Sequence, residues 1–301
     1  MDANQVVQRA VQNQVVVPSF NAAYLPMIQP ILQAVVDENS VAMLQVAMIE
    51  WEQFGAISPK AVRDEYEKWK NPRHTLLHLD HIPAVGEDGR PIDYVAIIQE
   101  AIDLGYESVM IDASALDLEG NIEATWKVVQ RTKKAGIPCE AELGAVLRHD
   151  ITSPPYDEIF ASKTGFTRLD EVIPFVKQSG CDWLSVAFGS FHGAVAEALK
   201  DQEKPKARLD IEHLKKIRQM VELPLVLHGG SGIEPHYIQQ AIQNGVGKIN
   251  VGTELRRAYQ KEMEASGDIG KAQQATYETT RHVLRDFLCI SNTADILVDQ
   301  A

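Results

Sequence analysis

His81, His192 and His228 each close a short apolar run, and Glu142 closes a fourth. Neutral imidazoles on rigid strand ends suit Zn²⁺, which accepts three protein ligands and keeps a position open for substrate. Ligand-type residues at the exits of four separate strands point to one metal site assembled by a closed parallel barrel. Asp80 lies two residues after His78 and shares its strand face. It can serve as the acceptor that holds a histidine tautomer or as a general acid/base. Glu140 and Glu142 put two carboxylates on one strand face. Buried without partners they are very costly, so a cation or a shared proton is expected beside them.

A second constellation follows on the last two strands. His228-Gly229-Gly230-Ser231-Gly232 stands opposite Asn250-Val251-Gly252-Thr253. Paired glycines let a backbone approach an anion closely, and the hydroxyls add donors. Phosphate sites after strands seven and eight recur in (β/α)8 barrels. Residues 145–166 form a polar loop of lid size. Arg148, His149 and Asp150 lie near its start, where they could close over substrate.

The elements that must position these groups alternate along the chain. Residues 4–13 read as a helix that plugs one end of the fold. Strands are expected at 15–17, 41–48, 76–81, 108–112, 137–143, 183–188, 223–227 and 246–251. Ser19-Phe20-Asn21 reads as a turn, with Asn21 capping a helix that buries Ile28, Leu32 and Val35 and is kinked near Pro26 and Pro30. Ser58-Pro59 starts a helix that runs to about Trp69. Further helices are expected at 93–104, 121–135, 169–178, 211–220, 237–243, from 255 onwards, and at 275–288. Eight strand–helix units with no composition break read as an α/β protein, a single (β/α)8 TIM barrel over about 15–257 with a C-terminal helical extension over about 258–301.

Composition narrows the function classes. With 301 residues and 45% hydrophobic content the chain can bury a large core. A formal net charge of −13 argues against a nucleic-acid or anionic-membrane surface. A bound phosphate must therefore be held locally, by backbone N–H groups and a cation. Three cysteines without metal-type spacing fit a reducing cytoplasm. No secretory signal and no bilayer-length apolar run is present.

Taken in order, Val17-Pro18-Ser19-Phe20-Asn21, His78-Leu79-Asp80-His81, Glu140-Ala141-Glu142-Leu143-Gly144, Gly189-Ser190-Phe191-His192-Gly193, Leu227-His228-Gly229-Gly230-Ser231-Gly232 and Lys248-Ile249-Asn250-Val251-Gly252-Thr253 form a recognisable set. The chain resembles the metal-dependent class II ketose-bisphosphate aldolases, of fructose- and tagatose-bisphosphate type, from about Val15 to Arg257. The resemblance implies one catalytic Zn²⁺ per chain held by His81, His192 and His228, with Glu142 facing a second or alternate cation position, divalent or monovalent. It implies Asp80 as the acid/base on the hydroxyl whose C–C bond breaks, with Asp150 in the place of a lid acid. Asn21, Gly193, Gly229, Ser231, Asn250, Gly252 and Thr253 would hold the dihydroxyacetone-phosphate part. The implied reaction is reversible retro-aldol cleavage of a phosphorylated ketose in a cytoplasmic homodimer or homotetramer. Some positions depart from the family pattern. Ala194-Val195-Ala196 stands where a Tyr- and Lys-containing segment is usual, Leu147-Arg148 replaces a Gly-Gly pair, Ile82 a glycine, and Ser114-Ala115 a Ser-His.

Two rivals remain. A Schiff-base barrel aldolase needs a lysine inside a strand. Strand six has none, and Lys248 is the single strand candidate. A non-catalytic partner subunit, as occurs beside some tagatose-type aldolases, fits the altered lid but not the retained histidines.

Overall fold

The apolar runs become eight parallel strands: β1 (Val17–Asn21), β2 (Ala42–Val46), β3 (Thr75–Pro83), β4 (Ser108–Asp112), β5 (Cys139–Leu143), β6 (Trp183–Val186), β7 (Leu225–Leu227) and β8 (Val246–Val251). They neighbour one another in sequence order, and β8 pairs back onto β1 to close the barrel. The computed structural model describes residues 1–145, 156–190 and 208–298. The helices are α1 (Ala3–Gln12), α2 (Ile28–Asp37), α3 (Met48–Gln53), α4 (Pro59–Trp69), α5 (Tyr94–Asp103), α6 (Leu118–Ala135), α7 (Tyr156–Ser162), α8 (Leu169–Ser179), α9 (Ile211–Met220), α10 (Pro235–Gln243), α11 (Thr253–Ser266), α12 (Ile269–His282) and α13 (Ala294–Leu297).

Strand periodicity divides the core in two. Residues such as Leu77, Leu79, Ala141, Leu143, Ile249 and Val251 pack outward with the helices in the larger hydrophobic cluster. The alternate residues face the barrel interior, and that interior changes character along the strands. At the N-terminal end Val17, Met43, Leu76, Trp183 and Val226 form an apolar plug with Val6, Val7 and Ala10 of α1. Burying the Val6 and Val7 side chains contributes about 1.5–3 kcal/mol each. The Trp183 indole donates to Asn4 Oδ1 at 3.0 Å, which fixes α1 across the barrel floor. Further along the strands the interior turns polar: Ser19, Gln45, His78, Glu140, Ser185 and Lys248, then Asp80, Glu142, His228 and Asn250, all buried. The floor excludes water beneath this charged layer.

Several boundaries differ from the sequence reading. The first strand does not end before Pro18. It begins at Val17 and runs to Asn21, because pairing with β8 through Lys248, Ile249, Asn250 and Val251 compensates the missing proline N–H. Asn21 therefore ends a strand and caps no helix. The helix begins instead with a 3₁₀ turn at Leu25–Met27, whose start Pro26 occupies. Pro30 is the third residue of α2, where the absent N–H has no intrahelical acceptor in any case. Met48 belongs to the short helix α3, not to β2. Part of the expected polar loop is the helix α7. The C-terminal extension comprises the end of α11, then α12 and the short α13, with Gly267 in the left-handed conformation that terminates α11.

Candidate metal and catalytic site

β3 delivers two consecutive residues to the site, which regular alternation forbids. Asp80 faces the interior, so a regular strand would send His81 outward. The β3–β4 register shifts between Leu79 and Ile82, and His81 takes φ +27°. This bulge turns the imidazole inward, at the expense of a backbone conformation that non-glycine residues rarely adopt. The His81 and His228 rings then meet edge to face with centroids 4.5 Å apart. Potential ligand atoms of Asp80, His81 and His228 lie within 4.8 Å of one another. A second group at the same spacing comprises His81, Asp112 and Glu142.

Carboxylates orient both rings. His81 Nδ1 lies 3.2 Å from Asp112 Oδ2, and Asp112 also accepts from the Ser114 hydroxyl at 2.6 Å. His228 Nε2 lies 2.7 Å from Glu140 Oε1, while its Nδ1 edge stands 3.4 Å from Glu142 Oε2. A ring N–H given to a carboxylate fixes the tautomer and leaves the other nitrogen's lone pair toward the cluster, an arrangement found around metal-bound histidines. Burial presses the His81 pKa down, but Asp80, Asp112 and Glu142 together carry it up to about 10. Three carboxylates around one imidazole thus attract a cation, and a divalent ion competes with that proton because ligation requires the neutral ring. The donor set, imidazole nitrogen with carboxylate oxygen, fits a zinc-type ion. His81 keeps 19% of its side-chain surface exposed, so the cluster opens toward the barrel mouth.

Asp80 is held as an anion. Burial favours its neutral form, but the neighbouring His81 and Lys248 charges outweigh this and bring its pKa to about 2. Three amide groups converge on it. Asn250 Nδ2 donates to Oδ1 at 2.9 Å, and Asn21 Nδ2 and Gln45 Nε2 donate to Oδ2 at 3.0 and 3.1 Å. Gln45 also donates to Asn21 Oδ1 at 2.7 Å and accepts from the Ser19 hydroxyl. Gly252 makes room for this frame: a Cβ there would lie 2.9 Å from Asn21 Oδ1.

Below Asp80 a buried ion pair joins Lys248 Nζ to Glu140 Oε2 at 2.9 Å, and the same amine donates to Asn250 Oδ1 at 2.6 Å. The cation expected beside the Glu140/Glu142 pair is, for Glu140, this lysine. Lys248 is thereby occupied within the barrel core, which removes the strand lysine a Schiff-base mechanism would use. His78 sits against the pair, 3.6 Å from Glu140 Oε2. Its burial and the Lys248 charge lower its pKa to about 3, so it is neutral, with Nδ1 on Ser108 Oγ at 2.8 Å.

The structure thus unites Asp80, His81, Glu142 and His228, as expected from their strand-exit positions. Asn21 and Asn250, expected on substrate, direct their amide N–H groups to Asp80. Gly229, Ser231, Gly252 and Thr253 lie around the exits of β7 and β8, and α11 begins there without a side-chain cap, so its N-terminus presents backbone N–H groups. His192, Gly193 and Asp150 lie outside the described residues. Sequence reasoning missed Asp112, although it ends a strand in the same way as the other candidates. It also missed Gln45, a polar residue within an apolar strand. Ser114 joins the Asp112 side of the cluster to a cavity of about 430 Å³ at the exits of β4 and β5, with Asn121, Gly144, Lys163 and Arg168 in its walls.

A closed eight-stranded parallel barrel with histidines and carboxylates gathered at its C-terminal mouth defines a (β/α)8 protein with a candidate metal site. The class-II fructose-bisphosphate aldolase family profile matches residues 1–294, and the chain belongs to that family. It is 32% identical over 250 residues to the sulfofructosephosphate aldolase of Alkalicoccus urumqiensis, covering 82% of this chain and 78% of that protein. It is also 32% identical over 259 residues to the fructose-bisphosphate aldolase of Geobacillus stearothermophilus, covering 85% and 82%. Among solved structures, the YdjI aldolase of Escherichia coli K12 superposes with a TM-score of 0.75 at 26% identity, covering 97% of both chains.

Proposed function

We propose that this chain is a zinc-dependent aldolase that reversibly cleaves a phosphorylated ketose into dihydroxyacetone phosphate and an aldehyde. The observation that carries the reading is the convergence of Asp80, His81 and His228 within 4.8 Å, with Asp80 fixed by three amide groups. His81 and His228 would hold the ion, with His192 as the third ligand by resemblance and Glu142 and Asp112 at an alternate cation position. When bound, the ion supplies Lewis-acid polarisation of the ketose carbonyl.

The protein's own groups do the rest. Asp80, anionic and rigidly oriented, takes the proton from the hydroxyl on the carbon that becomes the aldehyde. As that C–O bond becomes a carbonyl, the neighbouring C–C bond breaks and its electron pair passes toward the ketose carbonyl. Reprotonation of the resulting carbon nucleophile yields dihydroxyacetone phosphate, and the reverse sequence forms the bond. The backbone after β7 and the N-terminus of α11 hold the phosphate by N–H dipoles. The cavity beside Ser114 provides room for the aldehyde half.

Metal content of the purified protein, measured with cleavage of fructose bisphosphate, tagatose bisphosphate and sulfofructose phosphate with and without chelator, tests the proposal. About one zinc per chain with chelator-sensitive cleavage is expected of a three-ligand catalytic site. Absence of both metal and cleavage would leave the non-catalytic partner subunit as the better reading.

A further inference from the structure

Lys248 is a fully buried cation that takes no part in the mechanism above. It stands on β8 two residues before Asn250, so both side chains enter the barrel on one face. Its ammonium group is engaged in two directions. It donates to Asn250 Oδ1 at 2.6 Å and pairs with Glu140 Oε2 at 2.9 Å. Charge compensation requires Glu140, but it does not require the second contact.

These two contacts set the donors and acceptors on either side. An ammonium can only donate, so it meets the oxygen of the Asn250 amide and leaves the NH₂ group on the far side. There Asn250 Nδ2 donates to Asp80 Oδ1 at 2.9 Å, and an ionised carboxylate can only accept. A flipped amide would set NH₂ against ammonium and oxygen against carboxylate. On the other arm Lys248 holds Glu140 Oε2, and Glu140 Oε1 lies 2.7 Å from His228 Nε2. That nitrogen carries the ring hydrogen, so Nδ1 is the one turned toward Glu142 and the metal cluster. One ammonium thus orients a chain of groups that runs from Asp80 on β3 through β8 and β5 to His228 on β7.

We propose that Lys248 is a positioning residue for the aldolase reaction, fixing Asp80 through Asn250 and His228 through Glu140. This rests on the assignment of Asp80 as the acid/base and of His228 as a metal ligand. It makes one lysine the common support of the proton-transfer group and the metal centre.

The test compares wild type, Lys248→Met and Lys248→Met/Glu140→Gln, each at a temperature where circular dichroism shows it folded. In the single variant, kcat at saturating zinc should fall roughly tenfold or more, with KM within about twofold. Zinc affinity, read by competition with a chelator, should fall by about tenfold as well. In the double variant the new carboxamide still accepts from His228, so zinc affinity and melting temperature should largely return. Its kcat should stay low, because nothing holds the Asn250 oxygen. A merely structural loss would instead recover in kcat as it recovers in melting temperature. Cobalt in place of zinc gives a readout without turnover: its visible bands should change in the single variant and return toward wild type in the double. Wild-type kcat, zinc affinity or cobalt bands in the single variant, or wild-type kcat in the double, would overturn the proposal. Should Lys248→Met fail to fold, kcat of the double variant at saturating zinc decides. If the wild-type protein cleaves no ketose phosphate, the proposed function fails, and a crystal structure of the double variant decides the positioning role. An Asn250 amide turned away from Asp80 supports it, and an unaltered Asn250–Asp80 hydrogen bond overturns it.

Discussion

Replacing Lys248 by methionine should destabilise the protein severely, although lysine and methionine occupy similar volumes. Lys248 and Glu140 are both fully buried, and their charges meet at 2.9 Å. Burial pushes the Glu140 carboxyl toward its neutral form. Lys248 first, and then His228, hold it well below the usual carboxylate range instead. Without the lysine, Glu140 retains the 2.7 Å contact to His228 but loses its principal counter-charge, and Asn250 loses a 2.6 Å donor. Removing one partner of a buried pair typically costs about 3–5 kcal/mol, because the remaining charge is left uncompensated. At about 2–4 °C per kcal/mol for a chain of this size, Tm should fall by roughly 6–20 °C. The double variant Lys248→Met/Glu140→Gln removes both charges and should recover at least half of that loss. Thermal melts followed by circular dichroism, with wild type and both variants at the same protein and zinc concentrations, measure this directly. A single variant that melts within about 2 °C of wild type, or a double variant less stable than the single, would show that the pair does not act as a charge-compensated unit.

Three further outcomes follow from the site. Asp80→Asn should lower kcat by about 10²–10⁴-fold while leaving bound metal in place, read by steady-state cleavage and metal analysis of one preparation; a kcat within tenfold of wild type would move the acid/base role elsewhere. Gly252→Ala should displace Asn21, with a stability loss of about 1–3 kcal/mol from overpacking and a larger relative fall in kcat than in Tm, and unchanged kinetics would show that the contact relaxes. Metal-free protein should lose stability as pH rises. His81 in the folded state binds its proton up to about pH 10 and Glu50 up to about pH 8, whereas their ordinary values are 6.5 and 4.5. The folded state therefore holds protons that the unfolded chain has released, from about pH 4.5 for Glu50 and 6.5 for His81, and stability declines until the folded-state values are passed. Saturating zinc should oppose this decline, because ligation improves as the imidazole gives up its proton; a chelated protein that melts higher at pH 9 than at pH 6 would contradict the arrangement.

The barrel was legible because each strand run is short, apolar and followed by a helical pattern, with glycines such as Gly136 and Gly180 closing helices in left-handed geometry. The site was legible where a costly group interrupts such a run at its exit, as His228 does. Boundaries near Pro18 were not, because local proline chemistry opposes a strand and only closure of β1 onto β8 overrides it. Helix α3 was hidden by continuity of hydrophobic residues from Val46 to Ile49, which does not distinguish a strand from a strand followed by a helix. The simultaneous inward placement of Asp80 and His81 depends on a bulge that no periodicity predicts. The pairing of Glu140 with Lys248, over one hundred positions apart in the chain, depends on register around the closed barrel.

That closure has a kinetic meaning. Asp80 stands on the third strand, and its amide partners come from the first, second and last, with Asn250 separated from it by 170 positions. A nascent or truncated chain lacking the eighth strand can form local strand–helix units, but it lacks the Asn250 donor and the Lys248 charge. Contacts between such distant parts of a chain form only after much loop entropy has been lost, so they belong to the late, slow part of folding. Recovery of catalytic competence during refolding should therefore lag the recovery of helical signal. Enzyme activity in this protein reports the joining of its two chain ends, whereas secondary structure reports only the units between them.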